Sequence, residues 1–506
     1  MILDADTPPA GTVRDWLDHR ASTTGDALAY VFAEAGEASL TWSHLQSHAA
    51  RLAAAMTASG IAKGESVAVM MPNGRDAVLA TMAALYGGFR ATMINLVAGS
   101  EAITFALSHS EARFAFVAAD QSELFQAADP GGAINQLPID LPAGDRRLHD
   151  LAPTDHALLM YTSGTTGRPK GVVHSHASLL AGGWTTAIAH ALQPNDRGLC
   201  VLPIHHINGL CVTVMGALVS GGSLAMCRRF STSSFWADAA KLQATWFSVV
   251  PTIISHLLHA PENPDAATKA RLRFGRSASS PLSPEVQAAF EARFGVPVIE
   301  TMGLTETAAQ ILSNPLPPGQ RKVGSPGIAF GNEVAVVDAD HLPVPPGVEG
   351  EIAVRGPTVM LEYLKNPDAT AKALVDGGWL LTGDLGRQDG DGYVFVTGRL
   401  KELIIKGGEN IAPREVDEAL HAHPDVVEAA AFARPCETYG ERGEAAVRLK
   451  PGSALTAADL VAICAERLGA FKSPDIVHLL DELPKGPSGK IQRLRLAEIT
   501  GRADTA

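Results

Sequence analysis

The sequence predicts an α/β protein: a large layered α/β N-terminal domain with a β subdomain, followed by a small α+β C-terminal domain. Helix-period and strand-like apolar runs alternate up to about Asn332, where short β segments between Pro/Gly turns take over. After GRLKELIIKGGENIAP the chain becomes a compact mixture of helices and strands. Its 506 residues also exceed what one hydrophobic core normally organises. The units expected are therefore 1–400 and 401–506.

An amphipathic helix is expected from about Thr12 to Arg20. LTWSHLQSHAARLAAAMTASG follows, with apolar residues at helical spacing up to a stop at Gly60. SVAVMMPN reads as a buried strand, DAVLATMAALYGG as a helix and ATMINL as a strand. GLCVLPI, SLAMCRRF, ATWFSVV, LRFGRSAS and PVIETMG continue the strand series, with helices between them. EVAVVD, GEIAVRG and YVFVTGR form the β subdomain. Beyond the boundary, PREVDEALHAHPDV is a helix opened by Pro413, EAAAFARP and EAAVRLK are strands, and ADLVAICAERLG is a helix.

With 46% hydrophobic and 19% charged residues, the chain readily buries a large core. A net charge of −13 argues against nucleic acid or an anionic membrane as partner, since either needs a basic face. Five cysteines without CxxC spacing fit a reduced, cytoplasmic setting. The amino terminus lacks a signal-peptide pattern, and no apolar run approaches the roughly 18 residues that span a bilayer.

The chemistry concentrates in YTSGTTGRPKG, Tyr161 to Gly171. Gly164, Gly167 and Gly171 permit positive φ angles and bring backbone N–H groups close to an anion. Thr162, Ser163, Thr165 and Thr166 add hydroxyls, and Lys170 adds a mobile point charge. The apolar run HALLMY places this loop at the end of a strand. The spacing is not that of a Walker A loop, because only Thr165 and Thr166 separate the first two glycines and Gly171 follows Lys170. The loop points to ATP.

That string resembles the phosphate loop of the adenylate-forming superfamily of acyl-CoA synthetases, peptide-synthetase adenylation domains and firefly-type luciferases. The resemblance spans nearly the whole chain, and its further blocks carry expectations. TMGLTET resembles the block in which Thr301 and a tyrosine, here Met302, meet adenine, Thr305 contacts phosphate and Glu306 holds Mg²⁺. Ser277 to Ser280 would also lie against adenine. In LLTGDLG, Asp384 in a tight turn would accept the ribose hydroxyls, and Arg399 would donate to the same sugar or the α-phosphate. In PIHHINGL, His206 before an Asn-Gly turn resembles the gate beside the acyl site, with His205 where a bulky aromatic is common. Arg276, Ser279 and Ala309 would line the acyl pocket. Lys490, in LPKGPSGKIQR, matches the catalytic lysine that bridges the substrate carboxylate and the α-phosphate. Lys401 maps to the hinge about which the C-terminal domain turns, and Gly407 and Gly408 to a passage for the pantetheine arm of CoA.

The reaction so implied joins a carboxylic acid to CoA through acyl-AMP with release of pyrophosphate, with Thr305, Glu306, His206 and Lys490 at the reacting centre. Mg²⁺ is the expected cofactor, ATP and CoA are co-substrates, and the assembly is a monomer or homodimer. RFGRSASSPL and ILSNPLPPGQRKVGSPG resemble the oxalyl-CoA synthetase branch. Ala309 stands where that branch commonly has a histidine, which favours a larger or less polar acid than oxalate, although Arg276 could serve a second anionic group. Two other readings stay open: an adenylation enzyme loading a carrier protein, and a non-catalytic nucleotide-binding scaffold.

Overall fold

Two large sheets face one another across buried helices, and two five-stranded sheets follow them in the chain; the computed structural model describes residues 3–141, 147–162, 169–486 and 491–503. The first large sheet has nine strands, in the order Ile328–Ala329, Ala309–Ser313, Val298–Leu304, Phe274–Ser277, Trp246–Val249, Arg197–Cys200, Ser223–Met226, Leu28–Phe32 and Leu40–Thr41. Its central pairings are parallel, and its apolar strand residues are buried on both faces. The second has seven strands, in the order Glu362–Tyr363, Lys170–Ser175, His156–Thr162, Arg90–Met93, Ser66–Met70, Phe114–Val117 and Asn135–Gln136.

The helix His176–Ala189 lies in the core between them, buried along nearly its whole length. Its glycines let the backbones close up. A Cβ on Gly182 would lie 2.2 Å from the Ala308 carbonyl oxygen, and one on Gly183 2.6 Å from the Met215 carbonyl. That contact holds the turn following Glu306 against the helix.

The opening helix runs from Val13 to Thr24, past the expected end at Arg20. Thr12 and Asp15 form a capping box at its start. Arg20 does not stop it, because its guanidinium is buried and donates to the carbonyls of Leu218 and Val219. The Asn208–Gly209 turn expected in PIHHINGL is instead the start of a π-helix, Asn208–Met215. Gly209 packs on the Pro203 carbonyl, where a Cβ would sit 2.2 Å from the oxygen, and the apolar run behind it is wholly buried. Burial here overrides the local turn signal.

The β subdomain joins Glu333–Val337, Gly350–Arg355, Trp379–Gln388, Leu374–Val375 and Val394–Arg399. The fourth sheet joins Glu409–Ile411, Ile404–Lys406, Gly440–Leu449, Val426–Cys436 and Ile476–Leu479 over its own core of Ile404, Val416, Leu420, Val447, Leu460 and Cys464. It docks on the preceding residues through polar contacts. Ser255 Oγ donates to the Val427 carbonyl at 2.8 Å, and Arg414 donates to the carbonyls of Val396 at 2.6 Å and Gly324 at 3.1 Å.

Candidate active site

The expected phosphate loop connects two antiparallel strands, with Thr162 opposite Lys170. Ser163, Gly164, Thr165, Thr166 and Gly167 lie outside the described residues; Thr162 closes one strand and Lys170 opens the next. The Lys170 ammonium stands 3.8 Å over the Tyr363 ring. Burial lowers its pKa, Glu306 pulls it back up, and Lys401 presses it down again, so all three charges share one neighbourhood.

Opposite lies the turn Thr305–Thr307, which follows the strand Val298–Leu304. Buried His174 pins it, donating from Nε2 to the Thr305 carbonyl at 2.6 Å. Ala308 and Ala309 then take φ values of 45° and 88°, in the left-handed region that alanine seldom adopts. Gly303 is required one turn earlier, since a Cβ there would lie 1.6 Å from the Ala309 carbonyl oxygen. Glu306 accepts a 2.7 Å hydrogen bond at Oε1 from the Tyr363 hydroxyl.

A cavity of about 200 Å³ opens beside this turn, between the first sheet, the β subdomain and the fourth sheet. Ser279, Ser280, Thr301, Met302, Asp384 and Arg399 all line it. Asp384 was expected in a tight turn; it sits instead within the strand Trp379–Gln388, directly across from Arg399, with Nε to Oδ1 at 2.5 Å. The pair fixes both side chains by sheet register. Burial alone would lower the Arg399 pKa, but Asp384, with Glu402 and Glu306 behind it, more than offsets it. Thr301 is buried and donates to the Ser277 carbonyl at 3.2 Å. Glu300, which no motif reading singled out, also lines the cavity. Its Oε1 accepts from the Leu282 amide, its Oε2 has no partner among the described residues, and burial raises its pKa. A wider groove of about 820 Å³ runs past Lys63, Arg90 and Arg113 and contains none of the predicted residues.

Arg276 is 1% exposed, with no carboxylate in ion-pair range among the described residues. Nε donates to Gln310 Oε1 at 3.2 Å, and Nη1 donates to Asn208 Oδ1 at 2.9 Å and Ser248 Oγ at 3.2 Å. All three acceptors are neutral, and burial pushes the guanidinium down to about 9. Asn208 Nδ2 donates in turn to Ser279 Oγ at 3.3 Å, which links this buried cation to the cavity wall. Ser279 holds a φ of 74°. His205 and His206 lie ring against ring, centroids 4.8 Å apart, and neither Nε2 has a partner among the described residues. Burial lowers them to about 3 and about 4, so both are neutral at pH 7. Ala309 is buried beside Gln310 in the strand Ala309–Ser313.

Lys401 occupies an exposed turn after the strand Val394–Arg399. Gly407 and Gly408, at φ 62° and 88°, form an exposed hairpin turn that does not line the cavity. Lys490 lies outside the described residues; its neighbour Ile491 pairs with Lys485 and lines the cavity with Arg493. No helix among the described residues is long and apolar enough to cross a membrane.

Residues 17–364 match the AMP-binding enzyme family, and residues 415–490 match the AMP-binding enzyme C-terminal domain. The chain is 45% identical over 471 residues to the sulfoacetate–CoA ligase of Cupriavidus necator, spanning 90% of this chain and 92% of that protein. It is 35% identical over 483 residues to the oxalate–CoA ligase of Arabidopsis thaliana, spanning 92% and 94%. The o-succinylbenzoate coenzyme A synthetase of Bacillus subtilis, solved with ATP and magnesium ion, superposes with a TM-score of 0.83 at 28% identity over 95% of this chain and 98% of that one. The chain belongs to the AMP-binding enzyme family, on the branch that includes oxalate–CoA ligases, and is an ATP-dependent carboxylate–CoA ligase working through acyl-AMP.

Proposed function

We propose that the acid activated here is small and carries a second anionic group, a sulfonate or carboxylate, held by Arg276. One observation carries this reading: a fully buried guanidinium whose protein partners are all neutral. A buried charge normally has a counter-ion, because uncompensated desolvation is expensive. An anionic substrate tail would supply it, in the fork geometry that arginine favours. The identity to a sulfoacetate–CoA ligase supports the same class.

In this reading Lys170 and the loop Thr162–Gly167 hold the ATP phosphates, Asp384 and Arg399 the ribose, and Ser279, Ser280, Thr301 and Met302 the adenine, with Thr305 near the α-phosphate. Among the described residues no cluster of three or more His, Cys, Asp or Glu side chains could cage a metal. Glu306 keeps one carboxylate oxygen clear of Tyr363, which suits Mg²⁺, an ion content with one protein carboxylate, phosphate oxygens and water. Bound there, Mg²⁺ would neutralise phosphate charge. The substrate carboxylate attacks the α-phosphorus, pyrophosphate leaves, and Lys490 and Lys170 offset the repulsion between the two anions. His206, neutral, borders the acid. Turning about Lys401 would then withdraw Lys490 and bring Gly407 and Gly408 to the site, so that the CoA sulfur attacks the acyl carbonyl and AMP departs. Five free cysteines, four of them buried, suit a reducing cytoplasm.

The test is CoA-dependent AMP formation across matched acids: sulfoacetate, malonate and succinate against propionate and butyrate. A kcat/KM at least 10-fold higher for the anionic-tailed acids is expected. Preference for the uncharged tails would overturn the assignment.

A further inference from the structure

Tyr363 stands between the two charges of the phosphate site. The segment around it is stitched to both: the Leu364 amide donates to the Gly171 carbonyl at 2.7 Å, Leu361 to Val173 at 2.9 Å, and Met360 to the Glu306 carbonyl at 2.8 Å. One short edge strand thus ties the strand leaving the phosphate loop to the turn that carries Glu306. The Tyr363 side chain, 4% exposed, repeats the link, with its hydroxyl on Glu306 Oε1 at 2.7 Å and its ring under the Lys170 ammonium at 3.8 Å.

We propose that Tyr363 is a positioning residue for the adenylation half-reaction, keeping Lys170 and Glu306 from pairing with each other and aiming the Glu306 carboxylate at the cation. This rests on the assignment of Glu306 as the metal carboxylate. Lys170 and Glu306 attract one another yet form no ion pair; the phenol occupies the carboxylate oxygen, and the ring face holds the ammonium. The arrangement leaves one Glu306 oxygen for a divalent ion and Lys170 ready to move onto phosphate. Groups behind a metal ligand that orient it typically change metal affinity 10- to 100-fold when removed.

The experiment measures Mn²⁺ binding by the loss of free-ion EPR signal, with the unreactive α,β-methylene analogue of ATP present. Tyr363→Phe keeps the ring and loses the hydroxyl; Mn²⁺ affinity should fall about 10-fold. Tyr363→Leu also frees Lys170, and affinity for the analogue itself should fall too. Thioester formation from supplied acyl-AMP and CoA, which needs neither ATP nor metal, should stay within about 2-fold of the unsubstituted protein in both variants. Unchanged Mn²⁺ affinity in Tyr363→Phe overturns the proposal, and so does an equal drop in both half-reactions, which would mark general damage. Glu306→Gln separates the premise. If it leaves Mn²⁺ binding intact, the metal assignment fails and the proposal with it; if it weakens binding while Tyr363→Phe does not, only the tyrosine role fails.

Discussion

Arg276→Met removes the buried charge while nearly conserving volume. The structure sets the size of the effect on each side. Asn208 Oδ1 keeps the Ser248 hydroxyl as donor, so only Gln310 Oε1 is left without its partner, a loss of about 1–3 kcal/mol that the removal of an uncompensated charge offsets in part. The fold should therefore survive. The substrate loses more. A charge-assisted hydrogen bond to the acid tail is worth roughly 1.5–3 kcal/mol, and stranding that tail in a buried site adds to it, so kcat/KM for sulfoacetate or malonate should fall about 100-fold. Propionate and butyrate, with no charge to place there, should be used as well as before or better. The assay is steady-state AMP release with each acid, alongside thermal unfolding of the variant. A uniform fall for all acids, or no change for the anionic ones, would refute the reasoning.

Lys490→Ala should abolish pyrophosphate exchange into ATP yet leave thioester formation from supplied acyl-AMP intact; equal loss of both would remove the lysine from its assigned role. Gly182→Ala forces a methyl to 2.2 Å from the Ala308 carbonyl oxygen, and should lower stability by about 1–3 kcal/mol while raising the metal concentration needed for half-maximal adenylation, because the Glu306 turn must shift. A variant with unchanged melting temperature and metal dependence would contradict that contact. Burial holds His174 and His176 at about 4 and His190 and His205 at about 3, below the ordinary 6.5. The unfolded chain therefore takes up protons first as pH drops. The stability these groups contribute is complete above about pH 6.5 and is lost towards pH 4 for His174 and His176 and towards pH 3 for His190 and His205, by about 1–2 kcal/mol per histidine between pH 7 and pH 5. Urea unfolding at the two pH values checks this, and a flat profile would refute it.

The layered fold was legible because long apolar runs such as SVAVM and DAVLATMAALYG carry their period locally, whatever they later pack against. The reading of Tyr161 to Gly171 as a phosphate loop has a related basis, since its glycines and hydroxyls state a backbone requirement within eleven residues. Where packing overruled a local signal, the sequence misled: Asn208–Gly209 reads as a turn, but the buried run behind it makes a π-helix, and Asp384 reads as a turn residue yet lies in a strand opposite Arg399.

The sequence alone determined most of the helices and strands and the reaction class, because each rests on a short stretch of chain, an apolar period for the elements and motif blocks for the reaction. Only the tertiary structure decided that Arg276 meets Asn208, Ser248 and Gln310 with no acid beside it among the described residues, and that Tyr363 divides Lys170 from Glu306. Those partners come from separate strands and helices, so no period or motif encodes their meeting. Whether a buried charge is compensated depends on every element that packs around it.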